Sequence, residues 1–124
     1  MPHCIVEISD NISEKLNSDL FFENLHKLLI SENLFKIEDI KSRIYISENF
    51  YIGTGSDKNA NVSVTLKILS GRTENVKKDL SERVLSFTKD FFEEKTKKFN
   101  ISFSVEISEI EKETYSRFRS ELKE

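Results

Sequence analysis

Proline is almost missing from this sequence. Among 124 residues there is one proline, Pro2, where average usage of about 5% predicts roughly six. An interior without proline suits a compact domain whose helices and strands use every backbone N–H. The chain also has no tryptophan and one cysteine, Cys4. A single cysteine excludes an internal disulfide and a zinc site built from cysteines, which favours a reducing compartment.

Neither sign of charge dominates. The chain has 19 Lys and Arg and 22 Asp and Glu, which gives a formal charge of −3. This charge excludes a strongly basic nucleic-acid-binding protein. No apolar run is long enough to span a membrane, and the first residues lack a secretory signal, so we expect a cytoplasmic protein. Ten phenylalanines exclude a disordered chain, and the length predicts a single domain over residues 1–124. An anionic ligand would need a local cluster of Arg and Lys.

The spacing of apolar residues predicts two successive β-α-β units. Alternating residues predict strands over 3–8, 41–46, 62–68 and 101–107. Helical spacing predicts one helix from an N-cap at Ser18 to a stop at Asn33, and a second after Thr73 that ends near Asn100. The charged tail, 111–124, could add a short helix through Tyr115 and Phe118, and its charges are expected to face solvent.

Each helix is long enough to cross back over a sheet, so each unit predicts two parallel strands joined by a right-handed crossover. The predicted fold is α/β (α+β), with a four-stranded sheet and two helices on one face. The other face would stay bare and would carry Ser63, Thr65 and Lys67 from the most regular strand. A half-covered sheet in a chain of this length predicts self-association.

Pro2 is a candidate general base. Removal of Met1 would leave a secondary amine at the start of a strand, and an α-amino group titrates at about 7.7–8.0. Burial and nearby cations would lower that pKa and keep the amine neutral near pH 7. By position alone, the commoner interpretation is a proline that merely begins a strand.

Three cations are candidates for binding an anion. Arg72 follows a strand and Gly71 at the start of a helix, where backbone N–H groups also favour negative charge. Lys41 and Arg43 alternate along one strand and therefore share a face, where two cations repel unless an anion lies between them. Taken singly, each is more readily a solvated surface charge. The glycines at 53 and 55 lack the strand and helix that flank a dinucleotide site.

Together these segments resemble 5-carboxymethyl-2-hydroxymuconate isomerases of the tautomerase superfamily. The resemblance covers the whole chain and is carried by the segments Met1–Glu7, Ile40–Ile44 and Thr65–Arg72. It implies a homotrimer, a carboxylate-rich dienol as substrate, and catalysis by the N-terminal proline without a metal or organic cofactor. The segment 50–53 is similar to the aromatic, glycine-containing segment of the smaller 4-oxalocrotonate tautomerases, which implies a substrate-binding role for Tyr51.

The resemblance implies Pro2 and Arg72 as catalytic residues, and Lys41 and Arg43 as carboxylate-binding residues. Lys41 occupies a position where the muconate isomerases carry arginine, so the planar two-pronged donor is lost there and Arg43 is the alternative. Two other hypotheses stay open: a tautomerase of another 2-hydroxy or 2-oxo unsaturated acid, and a trimeric binding protein that kept the fold but not the activity.

Overall fold

The computed structural model describes residues 1–123, and their elements follow the order β-α-β-β-α-β. The strands are β1 (His3–Ser9), β2 (Lys41–Ser47), β3 (Asn59–Leu69) and β4 (Asn100–Ile110). The helices are α1 (Ser18–Ser31), α2 (Glu74–Phe91) and the single-turn α3 (Glu93–Thr96). The two predicted β-α-β units are therefore confirmed.

The four strands form one mixed sheet in the order β2-β1-β3-β4. Within each unit the strands are parallel, β1 with β2 and β3 with β4, whereas β1 and β3 pair antiparallel at the centre. The two units thus join edge to edge through their first strands. The predicted fold class is confirmed, and the antiparallel junction is what makes the sheet mixed.

One face of the sheet carries the core. The alternate residues Cys4, Val6 and Ile8 of β1 are buried there, in line with the alternate residues of β3 from Ala60 to Ile68. Both long helices cover this face, and they meet at an aromatic cluster in which Phe21 of α1 lies 5.3 Å from Phe87 of α2, ring centre to ring centre. Burial of these side chains supplies the main stabilising free energy.

The opposite face is uncovered in the single chain. It carries polar or charged side chains on the central strand β3, including Thr65 and Lys67, and on the edge strand β4, including Ser104 and Glu106. Among residues 1–123, no helix is long and apolar enough to cross a membrane.

Three details of the sequence prediction were wrong. The second helix ends at Phe91 rather than near Asn100, because Phe92 leaves helical geometry (φ −99°, ψ 15°) and is buried against the core. The tail forms only a 3₁₀ turn at 112–114; Phe118 is 91% exposed, so a helix there would bury no apolar face. Asn17, not Ser18, caps α1, by accepting a hydrogen bond from the Leu20 amide at 3.1 Å.

Candidate active site

The N-terminus is built into the sheet. The Pro2 carbonyl accepts a hydrogen bond from the Lys41 amide at 3.0 Å, which extends the parallel pairing of β1 with β2 by one residue. Pro2 is buried, and the Met1 amino group donates to the Asp39 carbonyl oxygen at 3.0 Å. Beside it lies a cavity of about 240 Å³, the terminal cavity, which is lined by Met1, Leu34, Phe35, Lys36, Asp39, Leu69, Arg72 and Arg117.

Arg72 reaches this cavity from the turn between β3 and α2. Gly71 takes a positive φ of 116°, which L-residues rarely adopt, and Thr73 then caps α2 by accepting from the Val76 amide at 3.2 Å. Arg72 Nη2 donates to the Leu34 carbonyl at 3.0 Å, and the guanidinium lies 5.7 Å from the centre of the Phe35 ring. The side chain is thereby directed to the cavity that Met1 also lines.

Lys41 and Arg43 share a face of β2 but have different neighbours. Lys41 Nζ donates to the Asp39 carbonyl at 3.2 Å, so this ammonium lies close to the Met1 amino group. Arg43 Nη1 lies 3.5 Å from Nδ1 of His3 on the uncovered face of the sheet. Of the two, Lys41 is next to the terminal cavity, whereas Arg43 belongs to the sheet surface beside it.

Tyr51 lies elsewhere in the chain. It follows β2. Because β1 and β2 are parallel, Pro2 lies at the N-terminal ends of these strands and the segment after β2 lies at their C-terminal ends. Its side chain is 80% exposed, and its hydroxyl donates to the Thr54 carbonyl at 3.2 Å. One chain therefore brings Pro2, Arg72 and Lys41 together but leaves Tyr51 apart from them.

Two tail residues were missed by sequence reasoning. Arg117 Nη2 donates to the Asp39 carboxylate at 3.2 Å, and Tyr115 Oη lies 3.5 Å from Nε2 of His3. The sequence predicted solvated charges here, whereas these two side chains contact residues close to the N-terminus. No local pattern could have revealed this, because the contacts join residues 78 and 112 positions apart.

The charges around the terminal cavity are mainly positive, although the chain as a whole is acidic. The pKa of the Met1 amino group is lowered first by burial and then by Lys41; Arg117 lowers it further, and Asp39 opposes them. The pKa of His3 is lowered by burial, then by Arg43 and Lys41. The cations of such a site can hold carboxylates, and together with burial they favour the neutral form of the amine.

A second cavity, of about 310 Å³, lies between the start of α1 and the end of α2. Its charged residues are balanced, Glu14 and Glu94 against Lys15 and Lys95, and the rest are largely apolar. It lacks the concentration of cations and the terminal amine. We therefore assign the candidate active site to the terminal cavity.

The mixed sheet with two helices on one face is the fold of the tautomerase superfamily, and in this chain the N-terminus lies beside cations within that fold. A solved symmetric trimer of fused 4-OT shares the fold, with a TM-score of 0.67 at 15% identity over 89% of this chain and 86% of that chain. The sequence model of the 5-carboxymethyl-2-hydroxymuconate isomerase family matches residues 2–121. The chain belongs to this family, as its sequence segments predicted, and it is an isomerase with the tautomerase fold.

Two relatives agree with this assignment. A 5-carboxymethyl-2-hydroxymuconate Delta-isomerase of Escherichia coli is 30% identical over 110 residues, which cover 89% of this chain and 87% of that protein. The crystal structure of a 5-carboxymethyl-2-hydroxymuconate isomerase from Deinococcus radiodurans R1 superposes with a TM-score of 0.87 at 25% identity, over 96% of this chain and 90% of that chain.

Proposed function

We propose that this chain converts 5-carboxymethyl-2-hydroxymuconate to its 2-oxo-3-ene isomer, a step in the breakdown of homoprotocatechuate, with Pro2 as the proton carrier once Met1 has been removed. The observation that supports this best is the position of the terminus. Pro2 is buried at the start of β1, and the residue before it lines a cavity with Arg72. Burial and Lys41 lower the pKa of the amino group there, and they would act in the same direction on a Pro2 amine.

In the proposed mechanism one proton leaves an oxygen and one reaches a carbon. The neutral Pro2 nitrogen accepts the proton of the 2-hydroxyl group, and the electron pair moves along the diene to make the 2-oxo group. The protonated amine then returns a proton to C5, which leaves the double bond between C3 and C4. The conjugated substrate delocalises the charge itself, so the step requires no metal or organic cofactor.

The cations would hold the substrate and its developing charge. Arg72 can pair with a carboxylate or with the forming dienolate oxygen through two N–H donors. Lys41 lies beside the terminal amine and would bind a second carboxylate as a point charge. The attraction between these cations and the substrate would strengthen as the dienolate forms. It would therefore lower the free-energy barrier of the proton transfer and not only the Michaelis constant.

We further propose that the chain forms a homotrimer in a cytoplasmic setting. The uncovered face of the sheet and the separation of Tyr51 from Pro2 support this, because a neighbouring chain could cover the face and bring its own Tyr51 to the cavity. Light scattering is expected to give three times the 14.5 kDa mass of one chain. A monomer in solution would contradict the trimer and leave Tyr51 without a role in binding.

The decisive experiment follows loss of the dienol absorbance in protein whose intact mass shows that it begins at Pro2. Pro2→Ala is expected to lower kcat by about 10²–10⁴-fold, the usual contribution of a positioned acid or base. A second variant has Pro2 unchanged but retains one residue before it. Its proline nitrogen is then an amide without basicity, and the activity should fall as far.

Unchanged rates in both variants, with folding verified by circular dichroism, would refute the mechanism. The same assay separates the alternatives left open by the sequence. A higher kcat/KM for phenylpyruvate or for a shorter enol would indicate a tautomerase of a different acid. Lys41, which has one ammonium group in place of a guanidinium, could bind a carboxylate of such an acid as well. A wild-type protein that begins at Pro2 and turns over no enol would indicate a binding protein.

A further inference from the structure

The end of the chain returns to the start of it. From Tyr115 to residue 123 the backbone forms no helix or strand, yet Arg117 lines the terminal cavity. The path is fixed at two places: the Lys112 amide donates to Ser70 Oγ at 3.2 Å, and Arg117 forms an ion pair with Asp39 at 3.2 Å. These contacts give the irregular tail a defined course beside the cavity.

Two guanidinium groups and one carboxylate therefore line the same cavity. Arg72 and Arg117 supply the guanidinium groups, Lys36 adds an ammonium group, and Asp39 is the acidic residue of the lining. A cavity of about 240 Å³ is smaller than the roughly 300–1,000 Å³ of pockets that bind drug-sized molecules. It suits a small carboxylic acid, and its charges suit one with more than a single carboxylate.

Within residues 1–123, the donors of Arg117 are only partly used. Its bond to Asp39 is made by Nη2, and a guanidinium carries five N–H donors. The side chain is 42% exposed, so a further carboxylate could reach it. Neither Arg43 nor Lys41 lines the cavity, but Arg43 contacts His3 on the sheet face, whereas Lys41 shares the Asp39 carbonyl with the Met1 amino group at the rim.

The substrate proposed above carries three carboxylates. If Arg72 and Lys41 hold those at the two ends of the conjugated chain, the carboxymethyl branch needs a third cation. We infer, on the basis of the proposed function, that Arg117 binds the carboxylate of this branch and so selects a tricarboxylate over a dicarboxylate. Asp39 positions the guanidinium through the ion pair and is not itself a binding group.

The test compares two dienols that differ only in the branch, 5-carboxymethyl-2-hydroxymuconate and 2-hydroxymuconate. Arg117→Ala is expected to lower kcat/KM for the branched dienol by about 10–100-fold, mainly through KM, because a charge-assisted hydrogen bond is lost. At a pH where the terminal amine is neutral in both proteins, the value for 2-hydroxymuconate should stay within about twofold. Arg119→Ala is the matched control, since Arg119 lies two residues further along the tail and pairs with Glu121. It should leave both values unchanged.

Equal losses on both dienols, or no loss on either, would overturn the assignment of Arg117. If the wild-type protein turns over neither dienol, the proposed function fails, and Arg117 is tested by calorimetry with propane-1,2,3-tricarboxylate and glutarate. Tighter binding of the tricarboxylate that disappears in Arg117→Ala supports the assignment. No preference in the wild type, or a preference that persists in the variant, refutes it.

Discussion

His3 Nδ1 lies 3.5 Å from Arg43 Nη1. Because arginine can only donate, a hydrogen bond here requires Nδ1 to be the unprotonated acceptor, which places the ring proton of neutral His3 on Nε2, 3.5 Å from Tyr115 Oη. Burial first, and then Arg43 and Lys41, lower the pKa of His3. This residue, next to Pro2, is thus held neutral between a strand arginine and a tail tyrosine.

The lowered pKa of His3 predicts a stability that depends on pH. The folded chain binds the proton less readily than the unfolded chain, whose histidines titrate near the ordinary value of about 6.5. The contribution of neutral His3 to the free energy of unfolding is therefore fully present above the unfolded pKa of about 6.5. It is lost as the pH falls below that pKa. His26, whose pKa is lowered by burial, acts in the same direction.

Urea denaturation at pH 7.5 and pH 5.0 measures this effect, and histidine NMR assigns it. His3→Gln should reduce the difference in unfolding free energy between the two pH values, and His26→Gln should remove a separate part. A His3 resonance that titrates above the ordinary value would contradict the role of Arg43 and Lys41.

The lowered pKa of the Met1 amino group predicts the pH profile of the proposed reaction, because the same burial and cations would act on a Pro2 amine once Met1 is removed. In the proposed mechanism the neutral amine is the active form, so kcat/KM should rise with pH and level off above a pKa that lies below the ordinary 8.0. Lys41→Gln removes a charge that lowers this pKa, and the profile should move to higher pH. Asp39→Asn removes a charge that raises it, and the profile should move to lower pH. Shifts in the same direction for both variants would contradict this electrostatic account.

Arg72 should matter for the rate far more than for stability. Arg72→Ala is expected to lower kcat by about 10²-fold, as for loss of one donor to a developing oxyanion. Arg72→Lys should recover part of the rate, because lysine keeps the charge but not the planar fork. Arg83→Ala is the control: Arg83 pairs with Asp79 on the surface of α2. Equal activity of the Arg72→Ala and Arg83→Ala proteins would exclude Arg72 from the chemistry.

The aromatic cluster should dominate the core energetics. Phe21 is 1% exposed and lies 5.0 Å from Phe91, ring centre to ring centre. Phe21→Ala should lower the free energy of unfolding by about 3–5 kcal/mol. Phe118→Ala, at a ring that is 91% exposed, should change it by no more than about 0.5 kcal/mol. Denaturation at one fixed protein concentration measures both, and similar losses would contradict the assigned core.

Local patterns predicted the elements well where the chain's own spacing determines them. The alternation over 62–68 lies inside β3, and Asn33 stops α1 with a positive φ of 58°. The antiparallel junction of β1 with β3 carries no such signature, since parallel and antiparallel strands alternate alike. The role of Arg72 could be predicted from the glycine turn that precedes it. The position of Arg117 could not, because it depends on a tail whose course is set by contacts with Asp39 and Ser70.

The hydrogen bond from the Lys41 amide to the Pro2 carbonyl fixes more than the position of one residue. Side chains along β1 alternate between the buried and the uncovered face. The pairing of His3 with Lys41 and of Cys4 with Ser42 therefore determines the face on which Pro2 lies and its position beside β2. One residue inserted before Cys4 would move Pro2 out of its place beside Lys41, although every side chain of the cavity were retained. For the proposed mechanism, the spacing of the first residues would matter as much as their identity, and removal of Met1 would be one step in the assembly of the active site.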